Sequence, residues 1–321
     1  MKTWLRATAG AALVAALVPS ALAAWPDDKP IEIVVGFAAG GGTDLMARKL
    51  APYIQKRLGG KAQFIVNNKP GAAGEIANAH LARAQPDGYT IGIVNVPGFL
   101  FLPMTKKTQY APEDMRLVAR VVDDPTVLAV RADSKFTGLQ SLVDALKAKP
   151  SSIAFGHNGT GTNGDLALQL LTDATKAQPN EIPFKGTAAQ KTDLLGGHVD
   201  VAVISAGEVP ELHGGKTGQL KVLVQFSPKR SAALPSVPTA QEAGIPVVMS
   251  SERGFAVPKG VPDDIVRRLE AAIAEAVRDP EFAASAPGDA PVLAYLPGAQ
   301  WQESLAQNRK ALRVLADKMP K

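Results

Sequence analysis

Two stretches of this chain pass through the same order of events. IVVGFAAGGGTDLMARKL, from residue 33, and IAFGHNGTGTNGDLALQLL, from residue 153, each run from an apolar β segment through a glycine-rich turn to Asp-Leu and an apolar helix. Such a turn leaves backbone N–H groups without partners at the positive end of a helix dipole, which is a ready seat for an anion. A chain that builds this unit twice is directed to α/β folding, and two such units facing each other can clamp one anionic ligand between them.

The surrounding pattern extends each unit. Short β-branched runs at 31–36, 62–66 and 89–94 alternate with helical patterns from 43, where Met46, Leu50, Ile54 and Leu58 share a face before Gly59-Gly60, and at 73–84. This βαβαβ series predicts a parallel sheet with helices on both faces and ligands beyond the carboxyl ends of its strands. Pro52, inside the first helical pattern, predicts a kink or break. At 117–130 two β runs, LVARVV and TVLAV, are separated only by Asp123-Asp124-Pro125, which reads as a hinge between domains. A second series follows, with helices at 139–147, 163–172 and 187–195, strands at 153–156, 199–204 and 220–226, and a return passage near 247–257. Helices at 263–277 and 301–316 close the chain. The division expected is 24–124 with 250–321 as one domain and 125–249 as the other.

Residues 1–23 have the form of a secretory signal peptide: Lys2 and Arg6, a short apolar run, then Ala21-Leu22-Ala23. A soluble periplasmic protein is the expectation, since no later apolar run has the ~20 residues needed to span a bilayer. With no cysteine, disulfides and thiolate chemistry are excluded. The net charge of +5 falls to nearer +3 without Lys2 and Arg6, the basic residues are scattered and aromatics make up 5%, so a nucleic-acid surface is not expected.

The glycine loop at Gly40-Gly41-Gly42-Thr43 fails both nucleotide patterns. A Walker loop from Gly36 needs lysine at position 42, and the dinucleotide fingerprint needs glycine where Leu45 stands. A small-anion loop and a tight structural turn both remain open. Asp44 and Asp165 fall in the first turns of their helices, where capping is the ordinary role of a carboxylate. In Gly159-Thr160-Gly161-Thr162-Asn163, capping and ligand contact suit Thr162 and Asn163 equally. Lys185-Gly186-Thr187 precedes a helix and Ser205-Ala206 follows a buried strand, so both can face a cleft. None of His80, His157, His198 and His213 has a histidine partner at i+4, and HExxH is missing, so no metal site is expected; His157 alone adjoins a glycine turn. Ser205 lacks the flanking glycine of a nucleophile elbow, having Val203 two residues before it. Arg253, in SSERGFAVP, suits either a structural ion pair or the far carboxylate of a diacid.

The motifs PIEIVVGFAAGGGTDLMAR, VNNKPGAAGEIA, PDGYTI, FKGTAAQKTDLLGGHVDVAV, LPSVPTAQEAG and RGFAVPKGVP, in this order from Pro30 to Pro262, resemble those of the substrate-binding proteins of tripartite tricarboxylate transporters, also called Bug receptors. The resemblance implies an α/β, type II-like periplasmic binding protein fold of two domains, each a mixed, mostly parallel sheet flanked by helices, with a cleft between. It implies a cleft that closes on a small carboxylate, held by backbone groups and waters of two loops matching Phe37, Ala38, Ala39, Gly40, Gly41, Thr43 and Asp44, and Gly159, Thr160, Gly161, Thr162 and Asn163. The remainder of the ligand would face Asn95, Pro97, His157, Lys185, Gly186, Ser205, Ala206 and Arg253. The chain departs from the family at Phe184, where many relatives have tyrosine, and at Ala188-Ala189, where Pro-Ala is usual.

No cofactor, no metal and no catalysis are implied. The expected partners are the ligand and the permease subunits of the transporter, with the receptor itself monomeric. A sensor for a membrane signalling protein and a periplasmic hydrolase or isomerase are the competing readings. Few basic side chains flank the glycine loops, which speaks against a fully charged tricarboxylate. Arg253 and Lys185 suit a second carboxylate, and Phe37, Phe99 and Phe184 suit an aromatic or long aliphatic diacid.

Overall fold

The computed structural model describes residues 25–209, 218–232 and 234–318, so the signal peptide expected at 1–23 and His213 lie outside the described residues. The first half follows the βαβαβ expectation: β1 (Ile31–Val35), α1 (Gly42–Leu58), β2 (Phe64–Asn68), α2 (Glu75–Ala82) and β3 (Thr90–Val96), with β1 parallel to both β2 and β3. Met46, Leu50 and Ile54 bury the predicted face of α1. The helix continues through Pro52 without the expected break. Pro52 and Arg48 are both on the exposed side, where water can take the carbonyl that proline leaves unpaired. A further helix, α3 (Gly98–Thr105), follows β3.

The expected hinge at Asp123-Asp124-Pro125 is not a break between two strands. It lies inside one strand of 17 residues, β4 (Met115–Arg131). Pro125 falls where the partners of β4 change, pairing with Ser250 at the end of β9 (Ser250–Pro258), while Thr126 is the first residue to pair with β7 (Val201–Ser205). The N–H that proline lacks is therefore missing only at the handover. The second series supplies α4 (Leu139–Ala148), β5 (Ala154–His157), α5 (Asn163–Thr175), β6 (Asn180–Pro183), α6 (Thr187–Leu195), β7 and β8 (Leu220–Gln225). After β9 come α7 (Asp263–Val277), α8 (Pro280–Ser285), β10 (Leu293–Pro297) and α9 (Gly298–Ala316).

The sheet order is β2-β1-β3-β9-β4-β7-β5-β6, with β8 and β10 also paired to β4. Its flanks are parallel and its centre, around β4 and β9, is antiparallel. Each half buries a core on both faces. In the second half, Leu128 and Val130 of β4 meet Phe155, Val201 and Phe226, while Val127 and Ala129 meet Leu194, Ile204 and Leu220. This is the period-two alternation of a strand. In the first half α1 and α7 cover one face, and α3 and α9 cover the other through Phe99, Phe101, Trp301 and Leu305. A buried acid fixes α9: Glu252 accepts from Trp301 Nε1 at 2.8 Å, Asn308 Nδ2 at 2.7 Å and Arg120 Nη1 at 2.9 Å.

Where β9 runs antiparallel beside β4, Gly254 permits close approach. A Cβ there would lie 2.2 Å from the Ala119 carbonyl oxygen and 2.7 Å from Trp301 Cζ3. Gly254→Ala is therefore expected to destabilise the protein by about 3 kcal/mol, the upper end for an overpacked site. Urea unfolding measures this, and a loss below ~0.5 kcal/mol, the range of neutral surface changes, would show that the strands separate freely.

Candidate functional site

The two glycine loops are built alike. In the first, between β1 and α1, Gly40 takes φ +80° and donates its N–H to Asp44 Oδ2 at 2.9 Å. In the second, between β5 and α5, Gly161 takes φ +83° and donates to Asp165 Oδ2 at 2.8 Å. Four residues further along each helix a side chain returns to the same aspartate, Arg48 Nε to Asp44 at 2.9 Å and Gln169 Nε2 to Asp165 at 2.9 Å. Both aspartates thus cap their own loops. Their electrostatics differ with the returning side chain. Burial would raise Asp44, but the Gly40 N–H, Arg48 and Asn68 hold its carboxyl below the usual range. Burial prevails at Asp165 and raises it, against the Gly161 N–H, His157 and the neutral Gln169.

The loops converge on a cleft. Ala38 N–H approaches the Lys185 carbonyl at 3.5 Å, and Gly186 packs against Phe37 and Ala38. Beside this contact lies a cavity of about 30 Å³, room for roughly one water. Of the residues expected at the site, Phe37, Gly41, Thr43, Asn95, Pro97, Thr162, Asn163, Ser205 and Arg253 line it. Gly159, Thr160 and Lys185, with Phe37 again, line a neighbouring cavity of about 360 Å³, and Gly40 lines a third of about 340 Å³. Ala39 is exposed, and His157 and Ala206 are buried behind the cleft.

Gly42 and Thr187, from the glycine loop and the Lys185-Gly186-Thr187 stretch, also line the small cavity, while sequence reasoning missed Asn158, Glu208 and Ser251, which line it too. Thr187 and Gln190, at the start of α6, are tied to Asn158, with Thr187 Oγ1 accepting from Asn158 Nδ2 at 3.1 Å and Gln190 Nε2 donating to Asn158 Oδ1 at 2.7 Å. Glu208 carried one readable signal, its position three residues after Ser205, which is capping-box spacing.

Arg253 is committed to an internal pair. Its Nη2 donates to Asp124 Oδ2, Arg253 is 2% and Asp124 0% exposed, and Gly207 N–H donates to the other Asp124 oxygen at 2.9 Å. Its Nε has no hydrogen-bond partner among the described residues. Burial alone would lower Arg253, but Asp124, then Glu208 and Asp289, hold it charged. Burial pushes Asp124 up to about 7 against the pull of Arg253 and Gly207, with Glu208 and Asp289 adding to the rise. Three carboxyl groups share one guanidinium, and burial raises Asp289 as well.

A carboxyl group raised in the folded state stabilises fully below its unfolded value near pH 4, and that contribution is lost as pH rises through the folded value, about 7 for Asp124. Asp289→Asn removes one such group and relieves Asp124. The fall in unfolding free energy between about pH 4 and pH 7 is therefore expected to be shallower in this variant than in the parent. Denaturant titrations across that range measure it, and equal slopes would contradict the assignment.

His157, Asp165 and Glu181 are brought together from β5, α5 and β6, with one ligand-type atom each within 4.8 Å of the others. His157 Nε2 stands 4.0 Å from Glu181 Oε2, and burial lowers His157 while raising Asp165 and Glu181. Zinc at ~2.0–2.2 Å from such ligands keeps them about 3.4 Å apart, so the trio would have to draw together to hold an ion. Spacing along the chain cannot reveal this cluster, because its members come from three elements.

Two half-sheets joined through β4, each presenting a glycine loop to a shared cleft, define a two-lobed binding-protein fold. The sequence profile of the family described as "Tripartite tricarboxylate transporter family receptor" matches residues 46–314, and the chain belongs to this family. Protein BugT of Bordetella pertussis is 35% identical over 273 residues, 83% of this chain and 82% of that protein. Among solved structures, the periplasmic binding protein BugD superposes with a TM-score of 0.84 at 30% identity, covering 91% of this chain and 97% of BugD. Rpa4515 of R. palustris with adipate gives 0.81 at 25% identity, covering 92% and 96% of the two chains. MatC of Rhodopseudomonas palustris with bound malate gives 0.79 at 26%, covering 90% and 98%. Among the described residues no helix is long and apolar enough to cross a membrane.

Proposed function

We propose that this chain is a periplasmic solute-binding protein, exported by its first 23 residues, whose domains close on a small carboxylate and deliver it to the permease of a tripartite tricarboxylate transporter. The domains are 24–124 with 250–321, and 125–249. The observation that carries this reading is the pair of matched glycine loops meeting across one cleft. Their backbone donors and the hydroxyl and amide groups of Thr43, Asn95, Thr162 and Asn163 suit an acid, and structural relatives hold adipate and malate. Membership in a receptor family, rather than any single residue, supports binding over catalysis.

Closure adds the second loop's contacts only when ligand is present, so occupancy selects the closed state. Titration calorimetry with a panel of carboxylates that includes adipate and malate is expected to give saturable one-to-one binding for at least one acid. That acid should stabilise the protein by about 2.7 kcal/mol at a hundredfold excess over Kd. No heat and no thermal shift from any member of the panel would overturn the proposal.

A further inference from the structure

Glu208 places a carboxylate of the protein itself in the cleft. It ends the short 3-10 turn Ala206–Glu208 that follows β7. Its Oε2 accepts from Ser205 N–H at 3.1 Å and from Thr187 Oγ1 at 3.1 Å, both in the second lobe. Its Oε1 crosses to the first lobe and accepts the N–H of Gly42 at 2.8 Å, in the first turn of α1, a helix of 17 residues. The bond from Ser205 N–H is what capping the turn would require; those from Thr187 and Gly42 are not.

The crossing contact depends on a missing side chain. A Cβ on Gly42 would lie 2.5 Å from Glu208 Oε1 and 2.5 Å from Arg253 Nη1, so glycine alone lets both groups approach the helix start. Arg253 lines the same cavity, and its Nε, buried, has no hydrogen-bond partner among the described residues. Glu208 stands between the cavity of about 30 Å³ and the outer one of about 340 Å³ and lines both. The outer cavity is lined by Lys49 and Lys191, whose ammonium groups can receive a carboxylate that swings outward.

We propose that the N–H groups of Gly42 and Ser205 and the hydroxyl of Thr187 form a carboxylate seat, that Glu208 is its tethered occupant, and that a ligand acid binds by displacing it. The proposal rests on the binding-protein reading above. In the unliganded protein Glu208 latches the two lobes together, and the ligand's own carboxylate takes over the three donors as the side chain leaves. Apparent affinity is reduced by the fraction of molecules in which the seat is already filled. A charge-assisted contact of this kind accounts for a factor of about ten or more.

Small-angle X-ray scattering of the unliganded full chain, with calorimetric titration of adipate and malate, tests this. The parent is expected to scatter as a closed particle. Glu208→Ser, and independently Gly42→Ala, which puts a methyl group where the carboxylate sits, are expected to increase the radius of gyration. Glu208→Ser is also expected to bind whichever acid the parent binds about tenfold more tightly. Scattering of both variants identical to the parent overturns the latch. A larger radius of gyration with equal or weaker acid binding in Glu208→Ser overturns the displacement, since Glu208 would then not compete with the ligand for the seat. Open variants that bind none of the acids support the latch while overturning the assignment of a carboxylate receptor.

Discussion

The lobes are held in relation to one another by one strand, β4, which pairs with β9 as far as Pro125 and with β7 and β8 beyond it, and the Arg253–Asp124 pair lies beside that handover. Arg253 pairs in register with Val122 and Asp124 with Ser251, so both charges sit on the strands rather than on loops. Taking two such charges out of water costs several kcal/mol per ion, and their attraction restores it only with good geometry and further hydrogen bonds. Here the Gly207 N–H supplies one of those bonds, and Glu208 and Asp289 stand by the same guanidinium. Burial raises Asp124 and Asp289 against the pull of Arg253. Of the two roles that the sequence leaves open for Arg253, the structure takes the internal ion pair.

The glycine-to-aspartate cap shows how a repeated unit can be tuned without altering its backbone. Both loops use a left-handed glycine, an aspartate at the fourth following position and a side chain one turn later. In the first loop the last of these is Arg48 and in the second Gln169. Deeper burial raises the second carboxyl beside His157 and Glu181, while at the first the Gly40 N–H, Arg48 and Asn68 outweigh burial and keep the carboxyl below its usual range. The first loop donates Gly42 to the cleft and is rigidified by charge. The second relies on neutral bonds among Asn158, Thr187 and Gln190.

Much of the fold was legible because its elements obey simple periods. The buried stripe of α1 and the pattern of α7 are visible in the order of their residues. The misses have physical causes. Helix α3 buries Phe99, Leu100, Phe101 and Leu102 on every side, so it has no polar face to betray a helical period. Strands β6 and β10 are four and five residues at sheet margins. The Asp123-Asp124-Pro125 signal was read as an interruption because proline argues against a central strand, whereas here it falls between two sets of partners. In the site, glycine patterns disclosed both loops. The reach of Glu208 to Gly42 depends on the closure of one lobe on the other, which no local pattern encodes.

The interleaving of the strands also sets an order of assembly. Every element of the second half-sheet apart from its share of β4 lies between residues 139 and 225, so all of its partners are made before β9. The first half-sheet cannot be completed that way: β3 pairs with β9, Gly92 opposite Ala256, and α9 at the far end of the chain seals its outer face. Loop-closure entropy must be met before such distant contacts reward it, and domains made of local contacts form sooner. As the chain emerges, β1 to β3 wait with an unpaired edge while the second lobe matures beside them. The interval before β9 arrives is therefore the period in which this protein is most open to association through that edge.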